Sequence, residues 1–204
     1  ANRVSFAGAL LVGTDAPNYV LTQQAPVAAT ITKAALTVTA NADARFVGQL
    51  DAPGFNGANY AGFVAGENDV TAGLGGSLTI TRSNAATGAA GTYAGVLMPS
   101  GLTSPNYAMN YVAGDYTIVP AGQLLVKVAN ASAAYGAAPT YAISSVEYLT
   151  TAGNTLTSLT VGSSNGSTYT YNDGFGGSVT FTLGATGTLT PGGALPVGNY
   201  ALTG

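Results

Sequence analysis

Ala29-Thr30-Ile31-Thr32-Lys33-Ala34-Ala35-Leu36-Thr37-Val38-Thr39 reads as a strand that ends one unit and, after a short kink, opens the next. Leu36-Thr37-Val38-Thr39 alternates apolar side chains with hydroxyls, the period of a half-buried strand. The phrase that follows, Ala40-Asn41-Ala42, returns as Ala129-Asn130-Ala131, a step of 129 − 40 = 89 positions. A second phrase, Ala16-Pro17-Asn18-Tyr19, returns as Ser104-Pro105-Asn106-Tyr107, a step of 106 − 18 = 88. A third, Gly91-Thr92-Tyr93-Ala94, returns as Gly198-Asn199-Tyr200-Ala201. Two independent phrases with nearly one period mean repeated structural units.

Strand signals recur along the rest of the chain. Ser77-Leu78-Thr79-Ile80-Thr81, Tyr116-Thr117-Ile118-Val119 and Ser178-Val179-Thr180-Phe181-Thr182-Leu183 all alternate. Gly75-Gly76 and Asn172-Asp173-Gly174 supply the positive φ that tight hairpins need. No long segment keeps helical spacing free of Gly, Pro or β-branched interruption. The expected fold is all-β: tandem immunoglobulin-like β-sandwich repeats arranged end to end.

Composition narrows the function. Only 6% of the 204 residues are charged, the net charge is -3, and 47% are hydrophobic. That is far too apolar for a disordered chain. The surface must then be neutral and polar, which suits an extracellular protein. The basic residues Arg3, Lys33, Arg45, Arg82 and Lys127 are scattered, so no phosphate-tracking stripe and no nucleic-acid partner is expected. Gly and Thr interrupt every apolar run, so membrane insertion is not expected. Ala1-Asn2-Arg3 lacks the basic head and apolar centre of a signal peptide, which places any export signal outside this chain.

The repeats divide the chain into three parts. Residues 1–31 read as closing strands of a preceding repeat, residues 32–120 as a complete repeat, and residues 121–204 as a longer repeat that is incomplete at its C-terminal end. Pro120 and Gly122 mark the second joint, and linkers this short imply stiff coupling. Ala40 to Tyr93 spans 93 − 40 = 53 positions and Ala129 to Tyr200 spans 200 − 129 = 71, which leaves room for an additional hairpin around Tyr148 to Tyr171. Open sandwich edges recruit strands. Residues 4–23 are therefore expected to pair with residues 124–204, in a neighbouring molecule or by folding back: a strand exchange between copies is one form of this.

Read together, these phrases resemble the MBG domain, a mostly bacterial immunoglobulin-like repeat of filamentous-haemagglutinin-type adhesins. The opening strand Ile31 to Asn41, the internal phrase Gly62-Phe63-Val64-Ala65-Gly66-Glu67, and the late strands at Gly91-Thr92-Tyr93 and Asn106-Tyr107 carry the likeness. Ala131 to Tyr141, with its Tyr135-Gly136, is similar to the family's opening signature, and Asp15 to Tyr19 to its closing phrase. The resemblance implies a stalk segment of a large secreted adhesin, exported by a two-partner pathway and serving cell attachment or biofilm formation. It implies neighbouring repeats of the same chain as partners, and it assigns no catalytic residue.

The residues themselves point the same way. There is no Cys and no His, which excludes Ser-His-Asp and Cys-His nucleophiles and thiolate or imidazole metal sites. No cofactor is expected, and no enzyme. Asp15, Asp51, Asp115 and Asp173 lie near Gly or Pro, where Asp shapes turns. Glu67-Asn68-Asp69 is the densest acidic stretch, so Glu67 and Asp69 are the calcium candidates, though without the spacing of a calcium loop. Lys33 and Lys127 open units on half-exposed strands, a poor setting for a Lys–Asn isopeptide bond. Tyr19, Tyr93, Tyr107 and Tyr200 read as core or corner residues. Tyr169 and Tyr171, two apart on one strand, are the glycan-stacking candidates, with cross-strand packing as the alternative. A second function follows from them: a module that contacts matrix polysaccharide, or a host or cell-surface ligand, through exposed Tyr, Asn and Thr.

Overall fold

The computed structural model describes residues 2–4, 9–129, 131, 133–137, 140–152, 155–185, 187–195 and 202–203. A short antiparallel pair, β1 (Asn2–Val4) with β2 (Val27–Ala29), comes first. Seven strands follow: β3 (Ala34–Ala40), β4 (Asp43–Phe46), β5 (Ala58–Ala61), β6 (Gly75–Arg82), β7 (Gly91–Thr103), β8 (Tyr107–Val112) and β9 (Gly114–Val119). They form one sheet of order β5-β3-β8 and another of order β4-β9-β7-β6.

The two sheets share a pair of long strands. β3 runs parallel to β8, with Ala34 opposite Tyr107, and β4 runs parallel to β9, with Asp43 opposite Tyr116. The offset is the same in both sheets (107 − 34 = 73 and 116 − 43 = 73). The strands therefore cross from one sheet to the other at one level, at Asn41-Ala42 and at Ala113. Asn41 donates its backbone N–H to Gly57 O at 3.0 Å and its side-chain amide to Asn56 O at 2.8 Å. Asn56 returns an amide N–H to Ala42 O at 3.1 Å. At its first occurrence the Ala-Asn-Ala phrase is thus the crossover itself. The partner strand passes so close that a Cβ on Gly114 would lie 2.4 Å from Ala40 O, which only glycine avoids.

Alternation makes the core. Leu36, Val38 and Ala40 point inward from β3, while Thr37 and Thr39 face out. Leu36, Ala72 and Tyr107 form one buried cluster; Ala40, Ile80, Leu97, Tyr116 and Ile118 form a second. The fold class is all-β, with two sheets packed as in an immunoglobulin-like sandwich. Among the described residues the only helical piece is a single 3-10 turn, Ala16–Asn18.

Beyond the Pro120-Ala121-Gly122-Gln123 turn, β10 (Leu124–Val128), β11 (Ile143–Leu149) and β12 (Leu156–Ser158) make one sheet. β13 (Thr160–Asn165), β14 (Thr168–Asn172) and β15 (Ser178–Thr182) make another, and β16 (Gly184–Ala185) pairs with β17 (Leu202–Thr203). Leu159, between β12 and β13, donates to Val146 O at 2.8 Å, so this strand too changes sheet without losing its partner. Phe46, Val119, Leu125 and Leu149 form a third buried cluster that joins β4 and β9 to β10 and β11.

Two expectations need correction. The described residues of the 4–23 segment make no ladder with residues 124–204 of the same chain; Val4 pairs with Val27, and residues 16–18 turn on themselves. Tyr19 is no core residue but is 67% exposed. The same phrase takes a different shape at Tyr107 because there β3 lies alongside it. Ser5, Phe6, Asn130, Ser132, Ala138, Pro139 and the Gly198 to Ala201 phrase lie outside the described residues.

Candidate functional site

Charge is scarce in this chain, and the ion pairs among the described residues join Asp51 to Arg45 and Arg82, and Asp43 to Lys127. Asp51, in the loop after β4, receives Arg45 Nε at 2.7 Å and the Tyr116 hydroxyl at 2.9 Å on one oxygen. Its other oxygen receives Arg82 Nε at 2.8 Å. The Arg82 side chain is buried, lies 4.9 Å over the Tyr116 ring, and gives its remaining N–H groups to Asn84, Ala85 and Thr87. Burial alone would raise the Asp51 carboxyl, but the bonds from Arg45, Arg82 and Tyr116 outweigh it and hold the group below the usual carboxylate range. Burial, then the bond to Asp51, pushes the Tyr116 phenol up. This network was not legible in sequence, where Asp51 read as a turn residue. The available hint was that Arg45 and Arg82 are two of only five cations; their pairing across the loop was invisible.

A second constellation holds the loop between β5 and β6. Gly62 opens it at φ 107, where a Cβ would meet Ala35 O at 2.5 Å. The Tyr107 hydroxyl accepts Val64 N–H at 3.0 Å and donates to the Glu67 carboxylate. Burial first, and then that carboxylate, raise the Tyr107 phenol. Asn68 closes the turn: its side-chain oxygen accepts Val70 N–H and Thr71 N–H, each at 2.9 Å. The calcium candidates Glu67 and Asp69 flank this Asn. One Glu67 oxygen is taken by Tyr107 and the Asn68 oxygen by backbone, while Asp69 is exposed. Among the described residues no three acidic groups come together as a metal cage.

The tyrosine candidates lie on β14. Tyr171 is buried and stacks on Phe181 of β15 with ring centroids 5.8 Å apart and planes 8° from parallel. Tyr169 donates its hydroxyl to Tyr141 O at 2.5 Å. Both rings lie on the inner face of the β13-β14-β15 sheet. The outer face is a neutral hydroxyl array. Thr168 pairs with Thr182 at 2.8 Å between hydroxyls and Thr170 with Thr180 at 2.9 Å, and Ser163 and Asn165 continue the rows on β13. On the inner side, an open groove of about 400 Å³ lies between this sheet and the β10-β11-β12 sheet, lined by Leu124, Tyr148, Leu159, Tyr171, Asp173, Gly177, Ser178 and Val179. Asp173 caps its own loop by accepting Phe175 N–H and Gly177 N–H, leaving the Phe175 ring 89% exposed at the tip.

The lysines have plain tasks. Lys33 donates to Ser104 O at 2.6 Å, and Lys127 pairs with Asp43 at 2.9 Å. Among the described residues neither is bonded to an Asn side chain.

Residues 36–117 match the family model of the MBG domain (YGX type), a non-catalytic, repeat-type all-β domain. The match runs from Leu36, the third residue of β3, to Thr117 in β9, so it covers most of the sheet-crossing sandwich just described. Neither a comparison with curated proteins nor one with solved structures returned a match.

Proposed function

We propose that this chain is a stalk segment of a large secreted bacterial surface adhesin: tandem β-sandwich repeats that hold a distal region away from the cell and support attachment or biofilm formation. The observation that carries this reading is the MBG match over residues 36–117, since such domains occur as repeats in large bacterial surface proteins. The packed joint supports it. Burial of Phe46, Val119, Leu125 and Leu149 is worth roughly 1.5–3 kcal/mol per side chain, more than an ion pair supplies. Apolar packing thus stiffens the joint, and Lys127–Asp43 sets its orientation. Two-partner export and an extracellular location belong to the same reading.

Small-angle scattering tests it. A compact globule of this length has a radius of gyration of about 17 Å. A stalk of stacked repeats gives a clearly larger value and an elongated distance distribution; a value at the compact limit refutes it.

The hydroxyl array favours a second reading, in which a neutral matrix polysaccharide lies across the outer face of β13-β14-β15. Binding to a glycan array that persists in high salt and is lost in a Thr170→Val/Thr180→Val variant would support it. A pure spacer shows no saturable binding.

A further inference from the structure

When glycine follows asparagine, its backbone nitrogen can close a five-membered ring on the side-chain amide carbon, because glycine has no Cβ to block the approach. The chain has two such pairs, Asn56-Gly57 and Asn165-Gly166. The fold holds them in opposite ways. Asn56-Gly57 is tied into the crossover of the first sandwich. The Asn56 side chain donates to Ala42 O at 3.1 Å, its backbone carbonyl accepts the Asn41 amide at 2.8 Å, and Gly57 N–H donates to Gly54 O at 3.2 Å. Gly57 O in turn accepts Asn41 N–H at 3.0 Å. Bringing Gly57 N onto the Asn56 side chain breaks several of these bonds together.

Asn165-Gly166 lies instead at the tip of the β13–β14 hairpin. Asn165 pairs with Thr168, which leaves Gly166 and Ser167 as a two-residue loop with Gly166 at φ 59. Asn165 and Gly166 are both exposed, and nothing stands within 4 Å of the place a Gly166 Cβ would take. Among the described residues neither the Asn165 side chain nor the Gly166 N–H is hydrogen-bonded to another group. Ring closure here breaks no bond of the fold.

We propose that Asn165 is a site of spontaneous covalent modification, deamidating through a cyclic imide to aspartate and isoaspartate with water as the co-reactant. Gly166 N, losing its proton to solvent base, bonds to Asn165 Cγ; the Cγ–Nδ2 bond breaks and Nδ2 leaves as ammonia. Water then adds to one of the two imide carbonyls. Breaking the bond between Cγ and Gly166 N gives aspartate. Breaking the bond between the Asn165 carbonyl carbon and Gly166 N gives isoaspartate, whose main chain runs through Cβ and Cγ. Either product sets a carboxylate beside Thr168, on a sheet whose three strands carry no charged side chain, and adds one negative charge to the formal net charge of -3. Isoaspartate also lengthens the main chain at the hairpin end and so unseats the Asn165–Thr168 pair. The site does not depend on the stalk reading.

Incubating the folded 204-residue chain in mildly alkaline buffer, with peptide mapping at intervals, tests it. The Asn165 peptide is expected to gain one mass unit and to split into aspartate and isoaspartate forms. Its rate should exceed that of the Asn56 peptide about tenfold or more, since Asn56-Gly57 must first break two hydrogen bonds. In urea the two rates converge, because the dipeptide is the same. Asn165→Gln, a change at an exposed position, keeps the native melting temperature and removes the acidic band that isoelectric focusing shows as the native chain ages. An Asn165 that keeps its amide in the folded chain, or converts no faster than Asn56, overturns the proposal. Rates that stay equally far apart in urea overturn it too, since the fold is then not their cause. So does conversion to aspartate with no isoaspartate, which is direct hydrolysis without the ring.

Discussion

The Lys127 ammonium lies 2.9 Å from Asp43 Oδ1, so the first strand after the Pro120 turn is tied by charge to the strand entering the second sheet of the preceding sandwich. Asp43 Oδ1 also accepts Ala44 N–H at 2.7 Å, which fixes the carboxylate to its own backbone. The carboxylate is nearly buried, whereas the lysine keeps some contact with water. Lys127→Met therefore removes a partly screened pair and lowers stability by about 1 kcal/mol. Melting curves check this. Added salt lowers the melting temperature of the native protein, and Lys127→Met lessens that salt dependence, the Asp51 pairs remaining in place.

Asp51 carries a larger share. Asp51→Ala leaves the buried Arg82 guanidinium without its anion and the Tyr116 hydroxyl without its acceptor. Arg82 retains carbonyl acceptors, which places the loss near the low end for a broken buried pair, about 3 kcal/mol. Urea unfolding of the variant measures it.

The same group sets the acid limit. A carboxyl held below its ordinary value contributes stability that is complete above the unfolded pKa, about 3.9, and is lost as pH falls through the depressed folded value. The native protein accordingly loses stability below pH about 4, and Asp51→Asn flattens that part of the profile. Tyr116 acts with the opposite sign. Its raised phenol favours the fold below the unfolded value near pH 10, and that contribution falls as pH rises above it.

Tyr107→Phe keeps the buried ring but removes the hydroxyl that accepts Val64 N–H and donates to Glu67. The expected cost is about 1–2 kcal/mol, with the Val64 amide losing hydrogen-exchange protection while β3 amides keep theirs. Calcium added to the native protein leaves the melting temperature unmoved, because Asn68 and one Glu67 oxygen are already committed.

Gly114→Ala tests the crossover. Its Cβ would sit 2.4 Å from Ala40 O and 3.1 Å from Asn41 O, both backbone atoms of the crossover, where Ala40 pairs with Ala58 and Asn41 N–H bonds Gly57 O. Overpacking of this kind costs about 1–3 kcal/mol or more, and circular dichroism melts read it directly.

Periodicity was the legible part. The alternation of Leu36, Val38 and Ala40 with Thr37 and Thr39 foretold both strand and inner face, because strand side chains alternate by geometry alone. The repeat of Ala-Asn-Ala set the period of the units, although nothing local revealed that Asn41 staples a strand changing sheets. The candidate positions were less legible. Tyr169 and Tyr171 share a strand face as expected, but which face met Phe181 and which met water depended on β15. Asp51 has no partner within reach along the chain except Arg45; Arg82 arrives by folding.

By itself the sequence determined the all-β class, the strand spacing and the neutral surface, since these follow from local side-chain chemistry. Only tertiary structure decided the conformation of a repeated phrase. Pro105-Asn106-Tyr107 opens a buried strand where Ala34 donates to Asn106 O, and Pro17-Asn18-Tyr19 turns in water where no strand lies beside it. A strand's hydrogen bonds belong to its neighbour as much as to itself, and neighbours are chosen by the fold.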